Sequence, residues 1–300
     1  MRAIVFESYG APDELHVVDD RPEPDPGPGQ VRVRVEAAGV NVWDGKVRSG
    51  AMSAFVRTTF PAVPGLEAAG VVDRVGPGVT GVSVGDRVTG WTRHGHAELA
   101  VLHGWASVPP SLEPAQAAAI PVVAEAATRV LALLDPRPGS TLLVHGASGG
   151  VGGLAAQLAR AAGVTVIGTA SAAQHDRLRG WGITPTTYGD GLVERVRALA
   201  PQGVDAVLDA AGRGVLPESI ELRGSTDRVV TIADPSAMAL GVTFSQGAEF
   251  NPAALAEVVE RVTSGDLEVP LAATFPMEAA AEAQALVDGG HPGGKVVLVL

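Results

Sequence analysis

A glycine-rich stretch between two apolar runs constrains the fold more than any other feature. Residues 141–171 read TLLVHGASGGVGGLAAQLARAAGVTVIGTAS. The run at 142–144 is too short for a helix and is typical of a strand that is buried on both faces. Five glycines follow, then good helix formers at 154–162 and a second β-branched run at 164–167. This order predicts strand, turn, helix and strand, the first βαβ unit of a dinucleotide-binding fold.

The turn carries a variant of the G-x-G-x-x-G fingerprint, Ala147-x-Gly149-x-x-Gly152. Without a Cβ the backbone can turn tightly and admit a pyrophosphate to the amides at the helix N-terminus, where the helix dipole favours negative charge. A side chain at Gly152 is therefore expected to block the pyrophosphate. A strand precedes the turn, and a helix and a second strand follow it at the expected spacing, so the fingerprint predicts cofactor binding. The candidate residues in the turn are Gly146, Ala147, Ser148, Gly149, Gly150, Val151 and Gly152.

Composition limits the class of protein. A length of 300 residues suggests about two domains, and 46 % hydrophobic with 18 % charged residues indicates a soluble globular chain. The net charge of −11 argues against nucleic acid and anionic membrane surfaces as partners. The absence of cysteine excludes disulfides and Cys-ligated zinc. With no signal-peptide pattern at the N-terminus and no apolar run of about 18 residues, a cytoplasmic location is expected.

Alternating strand and helix patterns between residues 141 and 244 predict a doubly wound parallel sheet. The ligand of such a sheet lies at the carboxyl ends of its strands. Beyond the glycine turn, those ends supply the candidate cofactor residues Thr169, Ser171, Ala211 and Ile232.

The end of the second strand predicts which cofactor is used. NAD binders place an acid about twenty residues past the turn to hold the ribose 2′-hydroxyl, whereas this chain has Thr169, Ala170 and Ser171. The missing carboxylate removes the repulsion that would exclude a 2′-phosphate, so NADPH is expected. Ser171 also begins S-x-x-Q with Gln174, which predicts a helix N-cap with a capping box.

The flanking segments predict a second domain. Residues 2–110 contain many short strands with glycine and proline turns, which suggests a partly open β-barrel. Residues 251–300 return to this domain with two helices and a final strand. We therefore expect an α/β protein with a barrel domain at 1–118 and 251–300 and a nucleotide-binding domain at 119–250. Between them, Pro114 is expected to begin a helix and Pro121 to break it.

Five motifs stand in order along the chain. They are G-V-N-x-x-D-x-x-x-R-x-G at 39–50, P-G-x-E-x-A-G at 64–70, G-D-R-V at 85–88, H-G-A-S-G-G-V-G at 145–152 and G-H-x-x-G-K-V-V at 290–297. In this order they resemble a zinc-independent medium-chain dehydrogenase/reductase of the quinone oxidoreductase, or zeta-crystallin, type. The resemblance covers nearly the whole chain.

This resemblance implies a GroES-like substrate domain interrupted by a Rossmann domain that binds NADPH. It implies hydride transfer in the cleft between them to a quinone or an α,β-unsaturated carbonyl, usually in a homodimer. Asn41 then donates its amide to the substrate carbonyl, and Asp44 is a second catalytic candidate that could instead fix a loop or orient Asn41. Tyr188 would lie near the adenosine phosphate, unless it is a half-buried strand tyrosine. Lys295 would reach a cofactor phosphate.

The chain departs from the family pattern in its hydroxyls. Ala126 stands where relatives carry a threonine near the nicotinamide, and Met52 where they often carry a tyrosine. Solvent is therefore expected to supply the proton. Glu125, beside Ala126, is either a solvated helix glutamate or a carboxylate that tunes substrate choice or moves a proton. An enone reductase in a biosynthetic pathway, a redox-neutral enzyme and a nucleotide sensor remain alternatives.

The histidines offer one more alternative. His94-x-His96 has the spacing of a metal pair on one strand face, but without cysteine the sequence disfavours zinc, and no metal is expected. His291 is expected to be structural.

Overall fold

The computed structural model describes residues 1–247, 250–290 and 292–300. Its strands are β1 (Ala3–Val5), β2 (His16–Val18), β3 (Val31–Val40), β4 (Glu67–Val75), β5 (Arg87–Trp91), β6 (Leu99–Leu102), β7 (Gly104–Ser107), β8 (Thr141–His145), β9 (Thr165–Thr169), β10 (Thr184–Thr186), β11 (Ala206–Asp209), β12 (Val229–Thr231), β13 (Thr243–Phe244), β14 (Leu271–Pro276) and β15 (Lys295–Val299). Its α-helices are α1 (Val42–Arg48), α2 (Pro114–Ala118), α3 (Pro121–Leu134), α4 (Gly150–Ala161), α5 (His175–Gly180), α6 (Leu192–Leu199), α7 (Leu216–Arg223), α8 (Ala237–Leu240), α9 (Pro252–Thr263) and α10 (Ala280–Asp288). Short 3₁₀ turns occupy Pro12–Glu14, Ala172–Gln174 and Met277–Ala279.

The chain divides into two compact units. Unit 1 comprises Met1–Val122 and Phe250–Leu300, and unit 2 comprises Val123–Glu249. The first boundary thus follows residue 122 rather than residue 118, and the second follows residue 249 rather than residue 250.

Unit 1 is built on a seven-stranded sheet in which the long strand β3 pairs with β15, β4 and β6. Two register shifts interrupt the pairing of β3 with β4, and such irregularities bend a strand. The predicted GroES-like fold is confirmed. Its strand β3 also carries a buried arginine, since Arg32 is only 5 % exposed. Its guanidinium pairs with Asp73 at 2.8 Å and with Glu23 at 3.3 Å, which compensates its burial.

Unit 2 contains a parallel sheet of six strands in the order β10-β9-β8-β11-β12-β13. Numbered from β8, this is the order 3-2-1-4-5-6 of a doubly wound nucleotide-binding sheet, so the predicted Rossmann fold is confirmed. The strands end level, because one row of paired residues runs across the sheet: Thr186, Thr169, His145, Asp209, Thr231 and Phe244. The loops that follow these residues therefore share one edge.

The segment Pro114–Leu134 is the one part of the described chain that is long and apolar enough to cross a membrane. The structure breaks it into α2 and α3, with Pro121 at the start of the second helix, as expected. Since 61 % of its most apolar window is buried within the protein, it has the character of a core helix.

The glycine turn explains why alanine replaces the first fingerprint glycine. Gly146, one position earlier, is the residue with a left-handed backbone (φ +74°). Ala147 needs no such freedom; it is fully buried, and its amide donates to the Thr169 carbonyl at 3.0 Å. At Gly152 a Cβ would lie 2.4 Å from the Gly146 carbonyl oxygen. The expectation that a side chain there meets the pyrophosphate is therefore corrected, since it meets the backbone of the turn first.

Replacing Gly152 with alanine should destabilise unit 2. The added Cβ must displace the Gly146 carbonyl, and such overpacking costs about 1–3 kcal/mol. Gly180, at the end of α5, is the matched control, because a Cβ there meets nothing within 4 Å. Thermal unfolding should show a lower Tm for Gly152→Ala and an unchanged or slightly higher Tm for Gly180→Ala. Equal Tm values would contradict the close packing of α4 on the turn.

A buried histidine at the end of β8 adds a pH dependence. His145 is fully buried, its Nε2 lies 3.1 Å from the Ser219 hydroxyl, and burial lowers its pKa from 6.5 to about 4, against the opposing effect of Asp209. Between pH 6.5 and pH 4, His145 binds a proton in the unfolded chain but stays neutral in the folded protein. Stability that is present above pH 6.5 is therefore lost as the pH falls towards 4.

Replacing His145 with glutamine should remove this contribution. Wild-type protein should lose about 1.4 kcal/mol per pH unit from this one group as the pH falls from 6.5 towards 4. Thermal unfolding at several pH values should therefore show a shallower acid slope for His145→Gln. The exposed His16 provides the control, and His16→Gln should keep the wild-type slope. Parallel slopes for wild type and His145→Gln would contradict the inference.

Candidate functional site

The carboxyl edge of the parallel sheet brings the predicted cofactor residues of unit 2 together. The glycine turn follows β8, Ser171 follows β9, and Tyr188 follows β10. On the other side of the turn, Ala211 follows β11 and Ile232 follows β12. Ser171 and Tyr188 are exposed, whereas Ala211 and Ile232 are half-buried. Sequence spacing thus placed these residues on the edge that they occupy.

The N-terminus of α4 opens onto this edge. Its N-cap, Gly149, offers no side chain to the helix amides, and the first amides of a helix have no acceptor within it. The residues around this N-terminus are all partly accessible: Ser148, Gly149, Gly150 and Val151. Their amides can therefore donate hydrogen bonds to an anionic ligand at the positive end of the helix dipole. The predicted use of this turn fits the geometry.

Two of the predicted cofactor residues brace the edge from within. Thr169 is 2 % exposed, and its hydroxyl accepts the Gly146 amide at 3.2 Å. The Ala211 amide donates to the Asp209 carboxylate at 2.9 Å. Both groups are therefore engaged with the protein, and their polar atoms shape the loops.

Asp209 is a buried acid at the same edge that sequence reasoning did not single out. It is fully buried at the end of β11, and one carboxylate oxygen accepts the amides of Ala211 and Gly212, both at 2.9 Å. The other accepts the Thr231 hydroxyl at 2.8 Å, which in turn accepts the Ala233 amide. One carboxylate thus holds the loops after β11 and β12. The available signal was an acid that ends an apolar strand directly before Ala-Ala-Gly.

Ser171 and Tyr188 differ from their expected local structures. Ser171 precedes the 3₁₀ turn Ala172–Gln174, but its side chain makes no capping hydrogen bond, so the capping-box prediction is wrong. Tyr188 lies two residues beyond β10 and is 55 % exposed, which rules out the half-buried strand tyrosine. Both side chains are accessible to a ligand. No carboxylate stands at Thr169, Ala170 or Ser171, so the end of β9 presents no fixed negative charge of its own.

A buried polar cluster occupies unit 1. The Lys295 ammonium lies 2.6 Å from Glu67 Oε1 and donates to Asn41 Oδ1 at 2.5 Å. Asn41 Nδ2 donates to the same Glu67 oxygen at 3.0 Å, and the other Glu67 oxygen accepts the Val122 amide at 2.7 Å. Glu67 is fully buried, and Lys295 is 6 % exposed. This arrangement fixes the Asn41 amide on both of its ends.

The assignment of Lys295 to a cofactor phosphate is therefore corrected. Its charge is buried against a carboxylate, and an ammonium in that position holds Glu67 and Asn41. Glu67 is a second residue that sequence reasoning undervalued. A signal lay in Gly39, two residues before Asn41, because a Cβ there would lie 2.1 Å from Glu67 Oε1. The two motifs that carry Gly39 and Glu67 thus form a single packing unit.

Asn41 retains one hydrogen-bonding group. A primary amide has two N–H donors, and Glu67 takes one of them. Asn41 is buried, with 9 % of its surface exposed, at the N-terminus of α1. Its second N–H remains available for a ligand oxygen.

The hydrogen bonds of Asp44 favour the interpretation that it fixes a loop over the interpretation that it is catalytic. Its two carboxylate oxygens accept backbone amides, from Asn41 at 2.8 Å and from Gly65 at 3.2 Å. Burial raises its pKa, an effect that His96 and these two hydrogen bonds oppose. Asp44 therefore fixes the start of α1 and the loop before β4, as one of the two interpretations anticipated.

Glu125 is an ion-paired residue of unit 2. Its carboxylate lies 2.7 Å from Arg129 Nε one helical turn away, and only 8 % of its side chain is exposed. The interpretation as a solvated glutamate is therefore wrong, because the side chain is buried in an ion pair with Arg129. Nearby, the Thr128 hydroxyl donates to the Ala124 carbonyl at 2.8 Å, so it does not replace the hydroxyl that Ala126 lacks.

The histidines of unit 1 are used for packing. His94 Nδ1 lies 2.9 Å from the Val63 carbonyl, and His96 Nε2 lies 3.0 Å from the Gly39 carbonyl. In the described part of the chain, no group of three or more His, Cys, Asp or Glu residues could hold a metal ion. His291 lies outside the described residues.

Comparison with known proteins bears on both units. Residues 27–122 match the alcohol dehydrogenase GroES-like domain family. Residues 185–298 match the family described as zinc-binding dehydrogenase.

Two curated relatives show different extents of similarity. The chain is 31 % identical to the quinone oxidoreductase of Lama guanicoe over 324 aligned positions, which cover 100 % of this chain and 98 % of the relative. It is 35 % identical to the pikromycin polyketide synthase component PikAII of Streptomyces venezuelae over 80 % of this chain. The match spans only 7 % of that much longer protein.

Solved structures resemble the whole chain. A quinone oxidoreductase from Coxiella burnetii aligns with a TM-score of 0.88 at 28 % identity, covering 100 % of this chain and 99 % of that one. A structure described as an NAD-dependent alcohol dehydrogenase gives 0.87 at 30 % identity, and a mycobacterial protein complexed with NADPH gives 0.84 at 29 %, each covering 100 % of both chains. Together with the full-length similarity to quinone oxidoreductase, these matches confirm the family that the motifs predicted. The chain belongs to the quinone oxidoreductase, or zeta-crystallin-like, family of medium-chain dehydrogenases/reductases.

Proposed function

We propose that this protein is an NADPH-dependent reductase that transfers hydride to a quinone or a small α,β-unsaturated carbonyl. The observation that carries the proposal is the level carboxyl edge of the parallel sheet, where the uncapped N-terminus of α4 meets a β9 end without an acid. Full-length similarity to quinone oxidoreductases supports the same reaction class.

The glycine turn and its neighbours would hold the cofactor. The amides of Gly150 and Val151 would bind the pyrophosphate, and Ser171 and Tyr188 would lie on the adenosine side. The nicotinamide, when bound, supplies the hydride. NADPH is favoured over NADH because no carboxylate at the end of β9 repels a 2′-phosphate, and a similar mycobacterial protein binds NADPH. Similarity to an NAD-dependent alcohol dehydrogenase favours the opposite choice, which the titration below decides.

Asn41 would polarise the substrate carbonyl. Its free N–H can donate to the carbonyl oxygen, where negative charge develops during reduction. Lys295, which donates to the other end of the same amide, withdraws electron density and strengthens this donor. Met52 and Ala126 bring no hydroxyl, so solvent would deliver the proton that completes the reduction.

Enone reduction within a biosynthetic pathway is the second candidate. The similarity to a segment of a polyketide synthase component favours it, because that relative belongs to a biosynthetic system. A redox-neutral or nucleotide-sensing role would keep the same binding edge. By family resemblance we also propose a homodimer. The net charge of −11 supports the absence of nucleic-acid and anionic-membrane partners, and we propose a cytoplasmic location.

Cofactor titration followed by a substrate panel tests the proposal. Calorimetry should show tighter binding of NADPH than of NADH, and NADPH oxidation should be followed against quinones and short enones. Turnover of quinones supports the proposal, and turnover of enones alone selects the second candidate. Tight cofactor binding without any turnover would favour sensing, whereas no binding of either coenzyme would refute the dinucleotide assignment.

Replacing Asn41 with alanine should lower kcat by about 10²-fold, since a lost donor to a developing oxyanion has an effect of that order. Cofactor affinity should stay unchanged, because Asn41 belongs to unit 1 and the coenzyme would be held by unit 2. Steady-state kinetics with the best substrate of the panel, together with calorimetry, would measure both quantities. An unchanged kcat would exclude Asn41 from the reaction.

Replacing Lys295 with methionine should lower stability by about 3–5 kcal/mol, because the Glu67 carboxylate would remain buried without a positive charge to compensate it. The double variant Glu67→Gln/Lys295→Met should recover part of that loss while keeping a low kcat. Lys46, exposed on α1, provides the control Lys46→Met, which should leave Tm and kcat unchanged. Additive losses in the double variant would contradict the coupling of the two residues.

A further inference from the structure

Arg195 on α6 makes contacts that its position on a surface helix would not suggest. Its guanidinium donates to three backbone carbonyls, those of Thr187 at 3.0 Å, Gly189 at 3.2 Å and Asp190 at 2.7 Å. These carbonyls lie on either side of Tyr188. The Arg195 guanidinium thus binds the loop on both sides of Tyr188.

Besides Arg195, the Leu192 amide at the start of α6 donates to the Gly189 carbonyl at 3.1 Å, but the loop has little packing of its own. Gly189 and Gly191 both have left-handed backbones, with φ of +82° and +74°, and a Cβ at Gly189 would meet nothing within 4 Å. Tyr188 itself is 55 % exposed. A short glycine-flanked loop without packing has many alternative conformations. The planar guanidinium of an arginine can donate to several carbonyls at once and so stabilise one of these conformations. The ammonium of a lysine, which is a point charge, cannot fix the loop in this way.

The sheet places this loop beside the expected adenosine position. In a doubly wound sheet the end of the second strand meets the adenosine ribose. That strand is β9, and β10 is its neighbour on the outer side. The Ala170 amide, just past β9, donates to the Thr186 carbonyl at the end of β10 at 3.0 Å. Tyr188 therefore follows the strand that borders the ribose.

We infer that Arg195 is a positioning residue that holds Tyr188 against the adenosine half of the cofactor. The inference rests on the proposed function, because it presumes that a dinucleotide binds at this edge. Arg195 does not contact the ligand in this account. It lowers the conformational freedom that the loop would otherwise lose on binding, which is preorganisation. Its effect is confined to ligands that contain the adenosine phosphate end.

Fragment binding distinguishes this role from a general structural one. In calorimetry, Arg195→Gln should weaken 2′,5′-ADP about tenfold, a loss comparable to that of hydrogen bonds to a charged group. The same variant should bind nicotinamide mononucleotide as wild type does. Arg197, on the same helix and paired with Glu221 at the surface, provides the control, and Arg197→Gln should bind both fragments normally. Amide hydrogen exchange in residues 187–190 should accelerate only in Arg195→Gln.

A double-mutant cycle tests whether Arg195 acts through the tyrosine. If it does, Tyr188→Ala and Arg195→Gln should not add in their effect on 2′,5′-ADP binding. Arg195→Lys should behave as Arg195→Gln does, which keeps the test sound if one variant folds poorly. Wild-type affinity of both Arg195 variants for 2′,5′-ADP would overturn the inference, as would equal weakening of both fragments. Failure of wild-type protein to bind NADPH or NADH would instead refute the proposed function.

Discussion

The level register of the parallel sheet is the constraint on which unit 2 depends. One row of paired residues runs across the six parallel strands, from Thr186 on β10 to Phe244 on β13. The loops that follow these strands therefore lie at the same edge of the sheet. Loop backbones at such an edge need partners for their amides. The buried carboxylate of Asp209 accepts two amides of the loop after β11 directly, and it fixes the Thr231 hydroxyl, which accepts amides of the loop after β12. The register of the strands therefore brings the candidate cofactor residues together, and the Asp209 carboxylate fixes the two loops beside them.

In unit 1 a buried ion pair has the corresponding role, and its energetics indicate specificity more than stability. Removing Glu67 and Lys295 from water is costly, and the attraction between them only roughly offsets that cost. The remaining atoms of Glu67 are satisfied by Asn41 and by the Val122 amide, so the carboxylate has partners on both oxygens. What the pair achieves is a single orientation of the Asn41 amide. An apolar replacement could fill the same volume but could not orient that group.

The sequence predicted periodic and local features well. The glycine turn, the alternation of strands and helices after it and the break at Pro121 all depend on neighbours in the chain, and all are present. The family pattern predicted both folds. Contacts between distant residues could not be read in this way. Lys295 carries a charge that suits a phosphate equally well, and only the approach of Glu67 from β4 decides its role. Glu125 is a different case, because its partner Arg129 stands only four residues away on the same helix, a spacing that the sequence already showed.

Cofactor choice illustrates the limit of reading one position at a time. The end of β9 lacks an acid, which permits a 2′-phosphate but does not bind one, since Thr169 and Ala170 are buried and Ser171 offers only a hydroxyl. Any positive preference must come from neighbouring loops that the register brings alongside. The loop after β10 is the nearest, and its two glycines, Gly189 and Gly191, have left-handed backbones. A preference built on such a loop requires a residue that fixes its shape, and that residue can stand on a helix well outside the ligand's reach. Selectivity in this fold can therefore reside in residues that no cofactor-contact motif includes.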